Sequence, residues 1–173
     1  VFCINAPLRL QSQAARFAPS VVRVNALLRH ITPWAQWEYV ENRSENPHIN
    51  YVRNPLHGVS ELARAMRAAE DVLGEILAPL LVIQDWGDPV VDPQSGEIIF
   101  SKAGSADKEL TYFNRGRHGI VNGPGSEAVF ERVYRFLRRH AHGYVPPPAP
   151  DRALPPAPEP AAPPTGDDMP EPA

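Results

Sequence analysis

The chain has 173 residues, a formal net charge of −3, 21 prolines and one cysteine. A single cysteine excludes an internal disulfide framework and a zinc site built from several cysteines. Twelve of the prolines lie at or beyond Pro146, and a segment of this composition cannot bury enough apolar surface to offset the entropy of ordering it. We therefore predict a disordered, Pro/Ala-rich tail over residues 145–173.

The charge distribution gives no sign of a nucleic-acid partner. The tail carries five of the 20 acidic residues and one of the 17 basic ones, which leaves 15 acidic and 16 basic residues in the rest of the chain. A nearly neutral domain has no electrostatic footprint for nucleic acid or for an anionic membrane. No apolar run approaches the roughly 20 residues that span a bilayer, so we predict no transmembrane segment.

The first third of the chain begins with a strand and a helix. Residues Val1–Asn5 begin with four apolar residues and predict a short buried strand that ends at Ala6-Pro7. Between residues 20 and 28, valines and leucines recur at helical spacing. An aromatic stretch and a polar, proline-punctuated segment (42–55) follow without a clear period, which is typical of an insertion.

The second half alternates helix and strand. Ser60 is a candidate N-cap for one helix and Ser126 for the last one. Leu80–Ile83 is a continuous apolar run, as in a strand covered on both faces, and Glu109–Asn114 predicts the next strand. The helix positions expected to be buried are Leu62, Met66, Ala69, Leu73, Ile76, Val129, Val133, Phe136 and Leu137. The alternation predicts an α/β fold with a largely parallel sheet.

Two polar loops follow consecutive predicted strands. In an open α/β sheet the ligand crevice lies outside the carboxyl ends of the strands, and neighbouring strands are about 4.8 Å apart. A carboxylate that accepts from one imidazole nitrogen fixes the tautomer and leaves the other nitrogen to take a proton. The charged residues of the two loops are Asp85, Asp88, Asp92, Arg115, Arg117 and His118. On spacing alone, the alternative is that Asp88 belongs to an ordinary turn and His118 is a solvated loop residue.

Three segments of this region resemble the end of α/β-hydrolase esterases and monoacylglycerol lipases. They are QDWGDPVVDP (84–93), KEL (108–110) and RHG (117–119), within about 60 similar residues from 79 to 137. In that family, a loop after the seventh strand carries an acid in a DPVV-type sequence, and a His-Gly after the eighth strand carries the base. The resemblance implies that Asp88 is the acid and His118 the base of a catalytic triad.

The sequence departs from the family pattern at Asp85, where a glycine is usual. A second carboxylate makes Asp85 a rival for the acid role, and Asp92 is a further rival, although a Val-Asp-Pro turn explains it. We interpret both as structural residues. Arg117 is interpreted as an exposed loop arginine, with a role in holding the loop or contacting a substrate carboxylate as the alternative.

The resemblance also implies how the chain is divided. Residues 1–10 look like the family's sixth strand, 11–58 like the cap or lid inserted after it, and 59–144 like the C-terminal core with the acid and base loops. Trp34 and Trp37 are then candidates for lining a substrate pocket for an acyl chain beneath the cap. They are equally compatible with packing inside the cap.

A convincing nucleophile is missing from the sequence. Nucleophile elbows in this fold read G-x-S-x-G on a strand-to-helix turn and precede the acid in the chain. Gly58-Val59-Ser60 lacks the second glycine and a preceding strand, and Ser126 fails for the same reasons. We therefore expect the nucleophilic serine, and the half of the fold that carries it, upstream of residue 1. These 173 residues alone are expected to be inactive.

The expected function is hydrolysis of a carboxylic ester or lipid by the full-length protein, with no metal or organic cofactor. One alternative keeps the fold and changes the chemistry: an upstream aspartate would indicate a dehalogenase or an epoxide hydrolase, and some relatives are acyltransferases. Another alternative is a non-catalytic hydrolase-like module whose Pro-rich tail docks into an SH3-like or WW-like groove. The cellular compartment is left open by the sequence.

Overall fold

The computed structural model describes residues 1–28, 32, 37–41 and 53–141. In chain order its elements are β1 (Phe2–Ile4), α1 (Gln13–Leu28), β2 (Tyr39–Glu41), β3 (Arg53–Pro55), α2 (Leu56–Asp71), a 3-10 turn (Leu73–Glu75), β4 (Leu80–Asp85), α3 (Gln94–Lys102), β5 (Lys108–Phe113) and α4 (Ser126–His140). Trp34 and the Pro-rich tail lie outside the described residues, so the expectations for them stay predictions.

The strands that position the site form a parallel sheet in the order β1-β4-β5. Phe2 of β1 pairs with Leu81 of β4, which in turn pairs with Glu109 of β5. β2 and β3 form a separate antiparallel pair. The parallel sheet with its flanking helices confirms the predicted α/β class. Because parallel strands point the same way, the chain leaves all three strands at one edge of the sheet.

Both faces of β4 are covered, which explains its continuous apolar sequence. Leu80 and Val82 belong to one core cluster, Leu81 and Ile83 to another, and each of the four is at most 1% exposed. The alternation follows from the two-residue period of a strand. The first cluster is completed by Leu8, Leu73, Ile99 and Ala103, and the second by Phe113, Ile120, Val129 and Phe136. One cluster therefore packs α3 on the sheet and the other packs α4.

The described residues between β1 and β4 form α1, the β2–β3 pair and α2. Ala15 and Ala18 of α1 pack together with Leu56 and Val59 of α2 in a third cluster. Sequence patterns did not predict β2 and β3, because strands of three residues are too short to show an alternating period.

The start of α2 differs from the prediction. The helix begins at Leu56, so Ser60 is not its N-cap but lies inside it, 9% exposed. Leu56, Val59 and Ala63 are buried, whereas Leu62, expected in the core, is 41% exposed. The buried face differs because α1 packs against the side of α2 that carries Leu56 and Val59.

The last helix follows the prediction in most of its core positions. α4 begins at Ser126, but its N-cap is Gly125, whose φ of 83° lies in the left-handed region that glycine tolerates. Val129 and Phe136 are buried as predicted, whereas Leu137 is 44% exposed. Successive helix residues point about 100° apart, so Phe136 and its neighbour Leu137 do not both face the sheet.

An ion-pair network fastens the segment after β1 to two helices. Arg9 and Lys102 of α3 both contact the Glu70 carboxylate of α2, each at 2.6 Å. These hydrogen bonds, with that of Arg9 foremost, lower the pKa of Glu70 to about 2. Glu70 is therefore charged at neutral pH and holds the chain leaving β1 against α2 and α3.

Candidate active site

The candidate site lies where the carboxyl ends of the three parallel strands meet. Asn5 directly follows β1, Asp85 ends β4, Asp88 lies in the loop after β4, and His118 lies in the loop after β5. These positions are far apart in the sequence. The parallel sheet brings them to the same edge.

The structure brings the candidate acid and base together. His118 Nδ1 lies 2.8 Å from Asp88 Oδ2. The Asp88 side chain is fully buried, whereas the His118 side chain is 42% exposed. The other carboxylate oxygen, Oδ1, accepts hydrogen bonds from the backbone N–H groups of Val90 (2.8 Å) and Val91 (2.9 Å). Since a carboxylate only accepts, the His118 tautomer that fits this contact carries its proton on Nδ1, and Nε2 is the atom able to act as a base.

The loop that carries Asp88 is fixed by the chain that leaves β1. The Gln11 N–H donates to the Val90 carbonyl at 2.9 Å, and the Asp92 N–H donates to the Arg9 carbonyl at 3.0 Å. Leu10 and Val91 lie between these two hydrogen bonds and form an antiparallel β-bridge. The acid loop is therefore hydrogen-bonded like a short piece of sheet.

Asp92 lies at the start of α3 and contacts neighbouring elements. Its Oδ1 accepts from the Gln94 N–H at 3.0 Å, and its Oδ2 lies 2.6 Å from the Arg16 guanidinium of α1. The Arg16 contact links α1 to the segment that precedes α3. Both contacts are consistent with the structural role interpreted from the sequence.

Asp85, the other rival for the acid, links the two loops. Its carboxylate is fully buried and accepts three backbone hydrogen bonds: from Gly87 and Gly116 at 3.0 Å on Oδ1, and from Arg115 at 2.7 Å on Oδ2. Burial raises the pKa of Asp85, and the N–H groups of Arg115, Gly116 and Gly87 partly offset that effect. The Asp85 carboxylate therefore binds backbone N–H groups of the loop after β5, which we call the base loop, whereas the Asp88 carboxylate contacts the His118 imidazole.

Sequence reasoning missed Asn5. Its side chain is 3% exposed; Nδ2 donates to the His118 carbonyl at 2.7 Å, and Oδ1 accepts from the Asp85 N–H at 2.8 Å. Its backbone has a φ of 44°, a left-handed conformation that asparagine tolerates better than most residues. The one signal in the sequence was a polar side chain at the end of a buried apolar strand.

A second imidazole–carboxylate pair lies at the opposite edge of the sheet. His140 Nε2 is 2.6 Å from Asp107 Oδ2, and Asp107 precedes the amino end of β5. The hydrogen bond to the Phe136 carbonyl and that to Asp107 raise the pKa of His140. The His140–Asp107 pair has the same chemical groups as the His118–Asp88 pair but lies at the amino ends of the strands. Substitution of His140 therefore serves as a control for substitution of His118.

The structure places Trp37 at a surface groove and leaves Trp34 outside the described residues. Trp37 is 72% exposed and lines a groove of about 550 Å³ between α1 and the β2–β3 pair. The remaining lining residues are Val22, Asn25, Ala26, Glu38, Tyr39, Pro55, Leu56 and His57. Neither Asp88 nor His118 is among them. A role of Trp37 in substrate binding stays a prediction.

Arg117 holds its own loop. Its guanidinium donates to the Pro124 carbonyl at 2.9 Å and occupies the space beside Gly123. Arg117 is half-buried and not simply an exposed loop arginine, as interpreted from the sequence, because it packs into its own loop. The contact supports the alternative role of holding the loop.

Two features of the described part of the chain bear on other kinds of function. Within residues 1–28, 32, 37–41 and 53–141, no three or more His, Cys, Asp and Glu side chains lie close enough to hold a metal ion. The helices in the same ranges are too short or too polar to cross a membrane.

The parallel sheet with flanking helices matches the architecture of solved α/β-hydrolases. The chain belongs to the family described as serine aminopeptidase, S33, whose model matches residues 7–125. The α/β-hydrolase family expected from the sequence is thereby confirmed.

Known relatives with lipolytic names resemble the chain. The thermostable monoacylglycerol lipase of Bacillus sp. (strain H-257) is 28% identical over 100 residues, which are 56% of this chain and 40% of that protein. A solved structure of the metagenome-derived lipolytic enzymes LipS and LipT is 26% identical, with a TM-score of 0.62, over 80% of this chain and 54% of the other.

Two further solved structures share the fold. The Paleococcus ferrophilus monoacylglycerol lipase is 20% identical with a TM-score of 0.58, and covers 82% of this chain and 59% of its own. A soluble variant of the Saccharomyces cerevisiae monoglyceride lipase is 14% identical with a TM-score of 0.56, at 81% and 55% coverage. The chain thus spans 40% of the curated relative and somewhat more than half of each solved structure.

Proposed function

We propose that the full-length protein hydrolyses carboxylic esters, and that this chain supplies the acid, Asp88, and the base, His118. The nucleophile is a serine in a G-x-S-x-G turn upstream of residue 1. One observation carries the proposal: the 2.8 Å contact between a buried carboxylate, fixed by two N–H groups, and an imidazole at the carboxyl edge of a parallel sheet.

The proposed reaction runs through an acyl-enzyme. The serine oxygen attacks the ester carbonyl while His118 Nε2 takes the hydroxyl proton, and the same proton then passes to the departing alcohol. A water molecule next attacks the acyl carbonyl while His118 Nε2 takes its proton; the bond to the serine oxygen then breaks, the proton passes to that oxygen, and the carboxylic acid leaves. Asp88 holds the imidazole in the Nδ1–H tautomer and stabilises the imidazolium. The oxyanion is stabilised by backbone N–H groups, at least one of which directly follows the serine.

An ester with an acyl chain is the favoured substrate class. The relatives of this chain named above are lipolytic, which supports an ester over the peptide that the family's description mentions. We assign residues 11–58 to a cap inserted between a strand of the core (1–10) and its C-terminal part (59–144). In this assignment Trp37, with Trp34, belongs to the part of the cap that meets the acyl chain.

The test compares the two imidazole–carboxylate pairs. In the full-length protein, His118→Ala is expected to lower kcat for a short-chain nitrophenyl ester by about 10⁴-fold, as expected for loss of a general base. His140→Gln, which removes the imidazole of the second pair, is expected to leave kcat within about threefold, because that pair lies at the other edge of the sheet. The isolated 173 residues are expected to show no turnover.

The proposed function is wrong if His118→Ala retains wild-type turnover, or if the two substitutions lower kcat equally. Turnover by the isolated chain that depends on His118 would contradict the upstream nucleophile. A folded His118→Ala variant, shown by a melting temperature close to that of the wild type, is required for the comparison.

A further inference from the structure

Two buried side chains tie the ends of the three parallel strands together. We call Asn5 and Asp85 the strand-end brace. The backbone N–H of Asp85 donates to Asn5 Oδ1 at 2.8 Å, which joins the end of β1 to the end of β4. These contacts do not involve the His118 imidazole. Both residues nevertheless form hydrogen bonds with the backbone of the loop that carries His118.

Asn5 contacts the residue that bears the imidazole. Its Nδ2 donates to the His118 backbone carbonyl at 2.7 Å, while its own N–H donates to the Ile83 carbonyl at 2.9 Å. Asn5 is thus bonded to β4 and to the base loop at once. The hydrogen bond fixes the backbone of His118, from which the ring must reach Asp88.

Asp85 fixes the start of the same loop. It accepts from the N–H groups of Arg115 and Gly116, which lie three and two residues before His118, respectively. It also accepts from the Gly87 N–H, next to Asp88 in the chain. One buried carboxylate therefore sets the acid loop and the base loop relative to each other.

Close backbone packing leaves this junction little freedom. A Cβ atom added to Gly87 would lie 2.8 Å from the Gly116 Cα, so the acid loop and the base loop are in contact there. At this junction the Asp85 carboxylate accepts three backbone hydrogen bonds, one from the acid loop and two from the base loop.

We propose that Asn5 and Asp85 are positioning residues, which hold the His118 imidazole at hydrogen-bonding distance from Asp88. The proposal rests on the proposed function, in which that contact prepares His118 as a base. Loss of the brace lets the base loop shift, which lengthens the contact with Asp88. A displacement of about 1 Å costs up to about 100-fold in rate.

The brace also predicts a direction for the pH dependence. The Asp88 carboxylate stabilises the positive charge that the His118 imidazole gains when it takes up a proton, so a longer contact makes that proton harder to bind. The acidic limb of the kcat/KM profile is then expected at lower pH.

The experiment uses the full-length protein with Asn5→Gly and Asp85→Asn. Glycine tolerates the left-handed backbone of position 5 and adds no charge. The side-chain oxygen of an asparagine at position 85 can still accept from the Gly87 and Gly116 N–H groups. Its NH₂ group then faces the Arg115 N–H, and two donors cannot form a hydrogen bond. Each variant is expected to lower kcat about 10- to 100-fold with KM within about twofold, and to shift the acidic limb down by about half a pH unit or more.

Ser95→Ala is the matched control. Ser95 is fully buried and bonds the segment after β1 through three contacts, with the Leu8 N–H, the Arg9 N–H and the Arg9 carbonyl. It makes no such contact with the base loop. This variant is expected to lower the melting temperature while leaving kcat within about threefold and the acidic limb in place.

Wild-type kcat and an unshifted acidic limb in both brace variants would overturn the proposal, as would a loss of folding in both, because the residues would then be structural only. A Ser95→Ala variant with the same kinetic signature would overturn it too. Activity that survives His118→Ala would instead reject the proposed function itself.

Discussion

Asp88→Asn in the full-length protein is expected to lower kcat for the ester by about 10⁴-fold, with little change in KM. The Val90 and Val91 N–H groups fix the orientation of the new amide, because they require its oxygen in the place of Oδ1. Its NH₂ group then faces His118 Nδ1 and forces the proton onto Nε2. The base is held in place in the wrong tautomer, and the fold is preserved.

Asp92→Asn provides the control for this substitution in the same loop. Asp92 is bonded to the Gln94 N–H and to Arg16, and has no part in the proposed chemistry. We expect kcat within about threefold of the wild type and a modest loss of stability, since the pair with Arg16 is partly exposed. Equal losses of kcat in the two variants would show that Asp88 acts through the loop structure and not through the imidazole.

Phe136→Ala is expected to lower the free energy of unfolding by about 3–5 kcal/mol. Phe136 is 2% exposed and belongs to the cluster that joins α4 to β4. Its ring also lies edge-on to Phe2 of β1 at 5.6 Å and 4.2 Å from the ring of His140. Removal of the ring leaves a cavity under the sheet that α4 cannot fill without moving.

Phe130→Ala is the matched substitution on the same helix. Phe130 is 54% exposed, so the expected loss is within about 0.5 kcal/mol. Urea-induced unfolding of the full-length variants, followed by fluorescence, measures both changes. A loss below about 1 kcal/mol for Phe136→Ala would contradict the packing of α4 described above.

The parts of the fold with strong local signals were predictable from the sequence. The run Leu80–Ile83 has four apolar residues in a row, a pattern that a central parallel strand requires because both of its faces are covered. Asp88 and His118 lie in the loops that follow β4 and β5. The alternation of helix and strand was therefore enough to predict that both loops lie at one edge of a parallel sheet.

The parts that depend on long-range packing were not predictable. Asn5 lies 113 residues from its partner His118, and a single polar residue after a strand carries no periodic signal. The buried face of α2 was assigned wrongly in part: Leu62 is exposed whereas Leu56 is buried, and because both are apolar only the position of α1 decides between them. The same holds for the role of Asp85, which becomes apparent only when the two loops are seen in contact.

We propose that His118 activates a serine upstream of this chain. Covalent labelling of the full-length protein with a fluorophosphonate tests this proposal. The activated serine oxygen displaces fluoride and forms a bond to phosphorus, and mass spectrometry of the digested full-length protein locates the adduct. We expect one adduct, on a serine upstream of Val1 in a G-x-S-x-G sequence, and labelling slowed at least about 100-fold by His118→Ala. An adduct on Ser60 or Ser126, no adduct, or labelling as fast in His118→Ala as in the wild type would contradict it.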